Sequence, residues 1–219
     1  MSARPELRAV LFDWDGTLVN TGEASFRCYE KLFGSYGIPF DRDAFRRTYS
    51  PNWHLTYSSL GLPPDRWAEA DARWLEHYGE EEVVLIEGAR PALLRVAEAG
   101  LKAGLVTSGD CGRVGRELAA LEVASLLEVV VCAEDIVHRK PHPEALLLAL
   151  DRLAVDPVHA AYVGDSPEDV QMAQAAGVLA VGVPGSFPNR EALAASRPDV
   201  FARDLAQAIA HLLDTPSVV

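Results

Sequence analysis

From about Pro91 onward the chain repeats one local pattern four times: a short apolar run followed by a segment with helical spacing. Leu101 to Thr107 reads as a strand and Arg113 to Leu121 as a helix. Glu128 to Cys132 and Pro143 to Leu153 repeat the pair, as do Ala160 to Gly164 and Pro167 to Ala176. Val178 to Val183 and Leu205 to Leu213 close the series, and an earlier apolar run, Ala9 to Phe12, reads as a first strand. Such alternation predicts an α/β fold, a parallel sheet with helices on both faces. In that architecture functional loops gather at the carboxyl ends of the strands.

The stretch from Thr21 to Glu87 has another texture. It shows no strand pattern and holds every tryptophan except Trp14. Helices are expected near Glu23–Tyr36, Asp41–Thr48 and Asp65–Tyr78, broken at Gly37-Ile38-Pro39 and Gly61-Leu62-Pro63-Pro64. The expected organisation is therefore a core built from residues 1–20 and 88–219, with a helical cap, residues 21–87, inserted after the first strand. A chain of 219 residues accommodates both.

Chemistry-bearing residues recur at the predicted strand ends. Asp13-Trp14-Asp15-Gly16-Thr17 follows the first strand, and Thr107-Ser108-Gly109 closes the Leu101 strand. Arg139-Lys140-Pro141-His142-Pro143 precedes a helix, and Gly164-Asp165-Ser166-Pro167-Glu168-Asp169 joins the Ala160 strand to the next helix. Each alone is an ordinary turn or helix cap. Together they supply what phosphoryl transfer demands, which is positioning and charge neutralisation. A carboxylate can attack phosphorus, further carboxylates can hold a hard cation, a lysine can neutralise phosphate, and a hydroxyl with backbone N–H groups can hold its oxygens.

In this order the four motifs resemble the haloacid dehalogenase superfamily of phosphohydrolases, from about Leu11 to Val183. The insert position is similar to the type-1 helical-cap branch, which includes phosphoglycolate phosphatases and β-phosphoglucomutase. The resemblance implies a Rossmann-like three-layer core and a Mg²⁺ cofactor. It implies Asp13 as the nucleophile that becomes an aspartyl phosphate, and Asp15 as general acid and then base, with its backbone carbonyl on the metal. Thr107, Ser108 and Gly109 would hold phosphate, Lys140 would neutralise charge, and Asp165 would be the further metal carboxylate. Asp169 would support the metal shell or Lys140. The branch departures are informative. Asp15 is absent from the dehalogenases, and Ser25 stands where β-phosphoglucomutases carry a histidine.

Substrate choice is expected from the cap, where Arg46, Arg47, Tyr49, Asn52, Trp53 and His54 cluster. Of these, Arg47, Asn52 and His54 are the candidate substrate ligands. Tyr29, Phe33 and Tyr36, at helical spacing, read as packing. The expected activity is hydrolysis of a small phosphorylated metabolite, phosphoglycolate- or sugar-phosphate-like, with a phosphomutase and a non-catalytic phospho-binding module as alternatives. Lys plus Arg total 20 against 32 Asp plus Glu, a net charge of −12, which argues against nucleic acid as partner. Three cysteines without a CxxC pair, and no apolar stretch of membrane-spanning length, point to a cytoplasmic protein with reduced thiols. Met1 to Arg8 does not read as a signal peptide, Asp214 to Val219 reads as a disordered tail, and a monomer or homodimer is expected.

Overall fold

The computed structural model describes residues 6–214; residues 1–5 and 215–219, and the expectations that fall on them, lie outside the described residues. Six parallel strands form one sheet in the order β3-β2-β1-β4-β5-β6. They are β1 (Ala9–Phe12), β2 (Lys102–Val106), β3 (Val129–Val131), β4 (Ala160–Gly164), β5 (Leu179–Gly182) and β6 (Val200–Phe201). The chain adds strands on one side of β1 up to β3 and then crosses to the other side with β4. The carboxyl end of β1 is therefore the topological switch point, where a crevice opens in such sheets.

Alternation along β1 divides the core. Val10 and Phe12 pack with α5 (Ala89–Glu98), α6 (Cys111–Ala120) and α10 (Leu205–Asp214). Ala9 and Leu11 pack on the other face with α7 (Glu144–Leu153) and α8 (Pro167–Ala176). All four β1 residues are fully buried, as expected for the central strand of a parallel sheet covered on both sides.

Four helices lie between β1 and α5: α1 (Gly22–Ser35), α2 (Arg42–Thr48), α3 (Trp53–Ser59) and α4 (Trp67–Tyr78). They close over their own aromatic core, in which Tyr29, Phe33, Phe45 and Tyr57 are buried. Phe187, from the segment after β5, joins that core by stacking on Tyr49, with ring centroids 4.1 Å apart. The two connecting segments run side by side: Asn20 N–H donates to Val84 O at 2.9 Å and Ile86 N–H to Leu18 O at 2.9 Å.

Among the α-helices and strands of the described residues, four go beyond the sequence expectation: α3, α5, β6 and α9 (Arg190–Ala195). Helix α3 is only seven residues long and follows Pro51 at once, with Asn52 as its N-cap, so it leaves little periodic signal. Strand β6 has two residues, too few to show any periodicity. At the carboxyl end Asp214 is the last residue of α10 rather than part of a tail, and it pairs with Arg95 at 3.3 Å.

Candidate active site

Asp13 continues the alternation of β1. Its N–H still donates to Val163 O at 2.9 Å, so the backbone is held in sheet register one residue past the strand. The side chain meets Lys140, whose Nζ donates to Asp13 Oδ1 at 2.7 Å, Asp169 Oδ1 at 2.8 Å and Tyr162 Oη at 2.8 Å. An ammonium has three protons, and each has an acceptor. Tyr162 Oη donates its own hydrogen bond to Val106 O at 2.7 Å. A lysine only 2% exposed in its side chain needs this pairing to remain charged. Burial pulls its pKa down, and the Asp13 and Asp169 carboxylates outweigh burial, so the ammonium is held above the usual lysine range.

The β4 end is built by a cap. Ser166 is the N-cap of α8: its Oγ accepts from Asp169 N–H at 3.1 Å, while Ser166 N–H and Oγ donate to Asp169 Oδ2 at 3.0 and 2.7 Å. Pro167 occupies the first helical position. With Lys140 on Oδ1, both Asp169 oxygens are engaged. Asp165 differs: its Oδ2 is buried without a hydrogen-bond partner. Burial first, and then the neighbouring Asp13 and Asp169 charges, push its carboxyl well above the ordinary range. Burial likewise raises Asp13 to about 7, against the opposing pull of Lys140.

Asp13, Asp165 and Asp169 bring one oxygen each within 4.8 Å of one another. Since Asp169 is occupied by Lys140 and Ser166, Asp13 and Asp165 are the two carboxylates with capacity left. Two buried oxygen ligands pushed toward neutrality, one of them an orphan, suit a hard divalent cation such as Mg²⁺. Gly16 completes the cradle. Its φ is +89°, and a Cβ there would collide with Asp165 Oδ2 and Phe187.

Asp15 parts company with Asp13. Both line one cavity of about 360 Å³ between the sheet and α1–α4, the lower part of the size range of small-molecule sites. The Asp15 carboxylate is gripped by Arg113 of α6, with NH1 to Oδ1 at 3.0 Å and NH2 to Oδ2 at 2.5 Å. Thr107, Ser108 and Gly109 also line the cavity, but Gly109 N–H donates to Thr107 Oγ1 at 2.9 Å, so that donor is used within the loop.

The cap residues are placed differently from expectation. Arg47 is exposed on α2, and Arg46 pairs with Asp43 at 3.1 Å. Asn52 and His54 do not line the cavity, whereas Trp53 and Tyr57 do. The cause is helical phase. Residues i and i+4 share a face, so Trp53 and Tyr57 face inward together, while His54, about 100° further around the helix, pairs with Asp71 at 3.1 Å. Tyr29, read as packing, does both: it is core and cavity wall. Asp71 and Trp74 of α4 and Arg139 also line the cavity. Their sequence signal was weak, because each sits in an ordinary amphipathic or loop context. Cys111 lies outside the lining, exposed, with its N–H on Glu134 at 3.0 Å.

Comparison with known proteins bears on this geometry. The family model described as "Haloacid dehalogenase-like hydrolase" matches residues 10–183. The chain belongs to this hydrolase family. Among curated relatives it is 32% identical over 211 residues to pyrophosphatase PpaX of Bacillus pumilus, covering 93% of this chain and 95% of that protein. It is 32% identical over 227 residues to phosphoglycolate phosphatase of Salmonella typhimurium, covering 91% of this chain and 90% of that protein. Among solved structures, a candidate β-phosphoglucomutase of Thermotoga maritima superposes with a TM-score of 0.74 at 27% identity, covering 96% of this chain and all of that one. The hydrolase family match spans all four motifs, from Asp13 to Asp169. Among the described residues no helix is long and apolar enough to cross a membrane.

Proposed function

We propose that the protein is a Mg²⁺-dependent phosphatase of a small phosphorylated metabolite, acting through an aspartyl phosphate on Asp13. The observation that carries this reading is the buried Lys140, which binds Asp13 and Asp169 together beside the unpartnered Asp165. Asp13 Oδ2, the oxygen not bonded by Lys140, attacks phosphorus. Lys140 fixes the nucleophile's orientation and offsets charge on the transferring group. Asp13 and Asp165 would hold Mg²⁺, which would supply charge neutralisation for phosphoryl transfer. Thr107 Oγ1 and the Ser108 amide bind the phosphoryl oxygens, while the Gly109 N–H holds Thr107 in place. Asp15 protonates the leaving oxygen and then takes a proton from the attacking water.

In this reading residues 21–87 are the cap and residues 1–20 and 88–219 the core, with the paired segments at Val19–Asn20 and Val84–Ile86 as the joint between them. The leaving group faces the cap side of the cavity. Aromatic rings of Tyr49, Trp53, Tyr57 and Trp74 form its wall. Four of the lining residues carry a buried polar atom without a hydrogen-bond partner: Trp53 Nε1, Trp74 Nε1, Arg139 NH1 and Asp71 Oδ1. Three donors and one anionic acceptor suit a hydroxylated leaving group, which both accepts and donates. A leaving group with its own carboxylate would face Asp71 and Glu134 with Arg139 as its cation. The sugar-phosphate-like substrate is thus favoured over the phosphoglycolate-like one. In this reading the enzyme works in the cytoplasm as a monomer or homodimer, and its three cysteines without a CxxC pair support that compartment.

The second reading, a phosphomutase, is favoured by the likeness to the Thermotoga structure. Ser25 lines the cavity at the position where that branch carries histidine, which weighs toward hydrolysis. The test is phosphate release from a panel of sugar phosphates, phosphoglycolate and p-nitrophenyl phosphate, with and without Mg²⁺, alongside Asp13→Asn. Mg²⁺-dependent release lost in the variant is expected. Equal release by Asp13→Asn refutes the mechanism. Interconversion of sugar phosphates without net release, in the presence of a bisphosphate primer, selects the mutase.

A further inference from the structure

Helix α6 holds both residues that follow the nucleophile. Arg113 grips the Asp15 carboxylate with two nitrogens, and its NH1 also donates to both Glu117 oxygens at 3.2 Å. Glu117 in turn accepts from Trp14 Nε1 at 2.6 Å. Arg113 and Glu117 stand one helical turn apart, so a single face of α6 clasps Trp14 and Asp15. The Arg113 and Glu117 side chains are 6% and 10% exposed. The start of the helix is fixed as well, since Asp110 caps it through Arg113 N–H at 2.7 Å. The path of the guanidinium is reserved by Gly109, where a Cβ would collide with Arg113 NH2. From the cap side, the Tyr78 ring of α4 covers the same guanidinium, 4.9 Å from its Cζ.

We infer that Arg113 is the positioning residue for Asp15 in the water-activating half of the reaction. The inference rests on the phosphatase reading above. A carboxylate has about four lone-pair sites, and the two-pronged contact takes one on each oxygen and fixes the plane of the group. Asp15 also lines the cavity, so its remaining sites are available to a water there. In that half-reaction a water oxygen bonds to phosphorus, the bond from phosphorus to the Asp13 oxygen breaks, and the water proton passes to Asp15. Asp13 returns as a carboxylate and inorganic phosphate leaves. A free aspartate would sample several rotamers; the clasp leaves one, and correct placement of the base is worth most in the step in which it takes the water proton. Through Tyr78 the clasp also touches the cap.

The test uses p-nitrophenyl phosphate, because p-nitrophenolate departs without needing a proton. Arg113→Met is expected to give a full burst, one p-nitrophenolate per enzyme, followed by steady turnover about 10²-fold slower than wild type, with the phosphoenzyme accumulating. Arg113→Lys keeps the charge without the fork and recovers part of the steady rate. A reduced burst with an unchanged rate per active molecule overturns the inference, because that is the signature of lost folded enzyme alone. A burst phase slowed as much as the steady phase overturns it too. Thermal unfolding of Asp15→Asn, Arg113→Met and the double variant reads the clasp without catalysis: non-additive shifts support it and additive shifts overturn it. A wild-type protein that hydrolyses no ester refutes the phosphatase reading, and the thermal cycle still decides the clasp.

Discussion

Replacing Lys140 with methionine removes the one cation from a buried carboxylate cluster. Methionine fills most of the space of the lysine stem, so the change adds little cavity cost. What it removes is a charge bonded to three acceptors, with Lys140 and Asp169 side chains each 2% exposed and Asp13 9% exposed. Breaking a buried pair in this way costs about 3–5 kcal/mol, because the carboxylates left behind have neither water nor a partner. For a chain of this length 1 kcal/mol moves Tm by about 2–4 °C, so the expected fall is about 6–20 °C. The assay is thermal unfolding in EDTA, above pH 7 and again near pH 5, where protonation relieves the stranded carboxylates and the deficit shrinks. Adding Asp169→Asn to the variant removes one of the two stranded charges and recovers part of the loss. A Lys140→Met protein within about 2 °C of wild type at both pH values refutes the reasoning, since no buried ion pair could then depend on that lysine.

Two further perturbations read the metal cradle. Burial holds the Asp13 carboxyl at about 7 against an ordinary 3.8; a folded-state pKa above the unfolded one contributes stability that is full below about pH 4 and lost as pH rises through about 7. In EDTA, Asp13→Asn should therefore gain in Tm on wild type across that window, with Mg²⁺ narrowing the gap; a pH-independent difference contradicts the assignment. Gly16→Ala places a Cβ against Asp165 at a φ of +89°. It should cost about 1 kcal/mol or more in backbone strain and raise the Mg²⁺ concentration needed for half-maximal phosphate release. An unchanged Mg²⁺ requirement would show that Asp165 lies outside the metal site.

The parallel sheet and its motifs were legible because they follow from local pattern. β1 to β5 are apolar runs bounded by turn residues, and the predicted ranges overlap every one of these strands. The strand-end residues Asp13, Thr107 and Asp165 needed only the rule that such sheets keep their sites at the carboxyl ends. Ser166 was visible as a candidate helix cap, but the support that Asp169 gives Lys140 was expected only from the family resemblance, since the contact spans 29 positions of chain and leaves no local pattern. Arg113 was invisible for the same reason. As an amphipathic arginine four residues before Glu117 it reads as a solvated helix pair, and only the fold brings it to Asp15, 98 positions away. The cap was harder still. Whether Trp53 or His54 faces the cavity turns on where α3 starts, and a shift of one residue rotates the whole face. β6 carries too little chain to leave a pattern.

The central claim is that phosphorus is transferred to Asp13. Rapid mixing with a turned-over phosphate ester, acid quenching and peptide mass analysis tests it most directly. One phosphoryl group is expected on the peptide that holds Asp13, formed fast enough to precede phosphate release and more abundant in Arg113→Met. Steady phosphate release with no phosphoryl group on that peptide, or with the group on another residue, contradicts it.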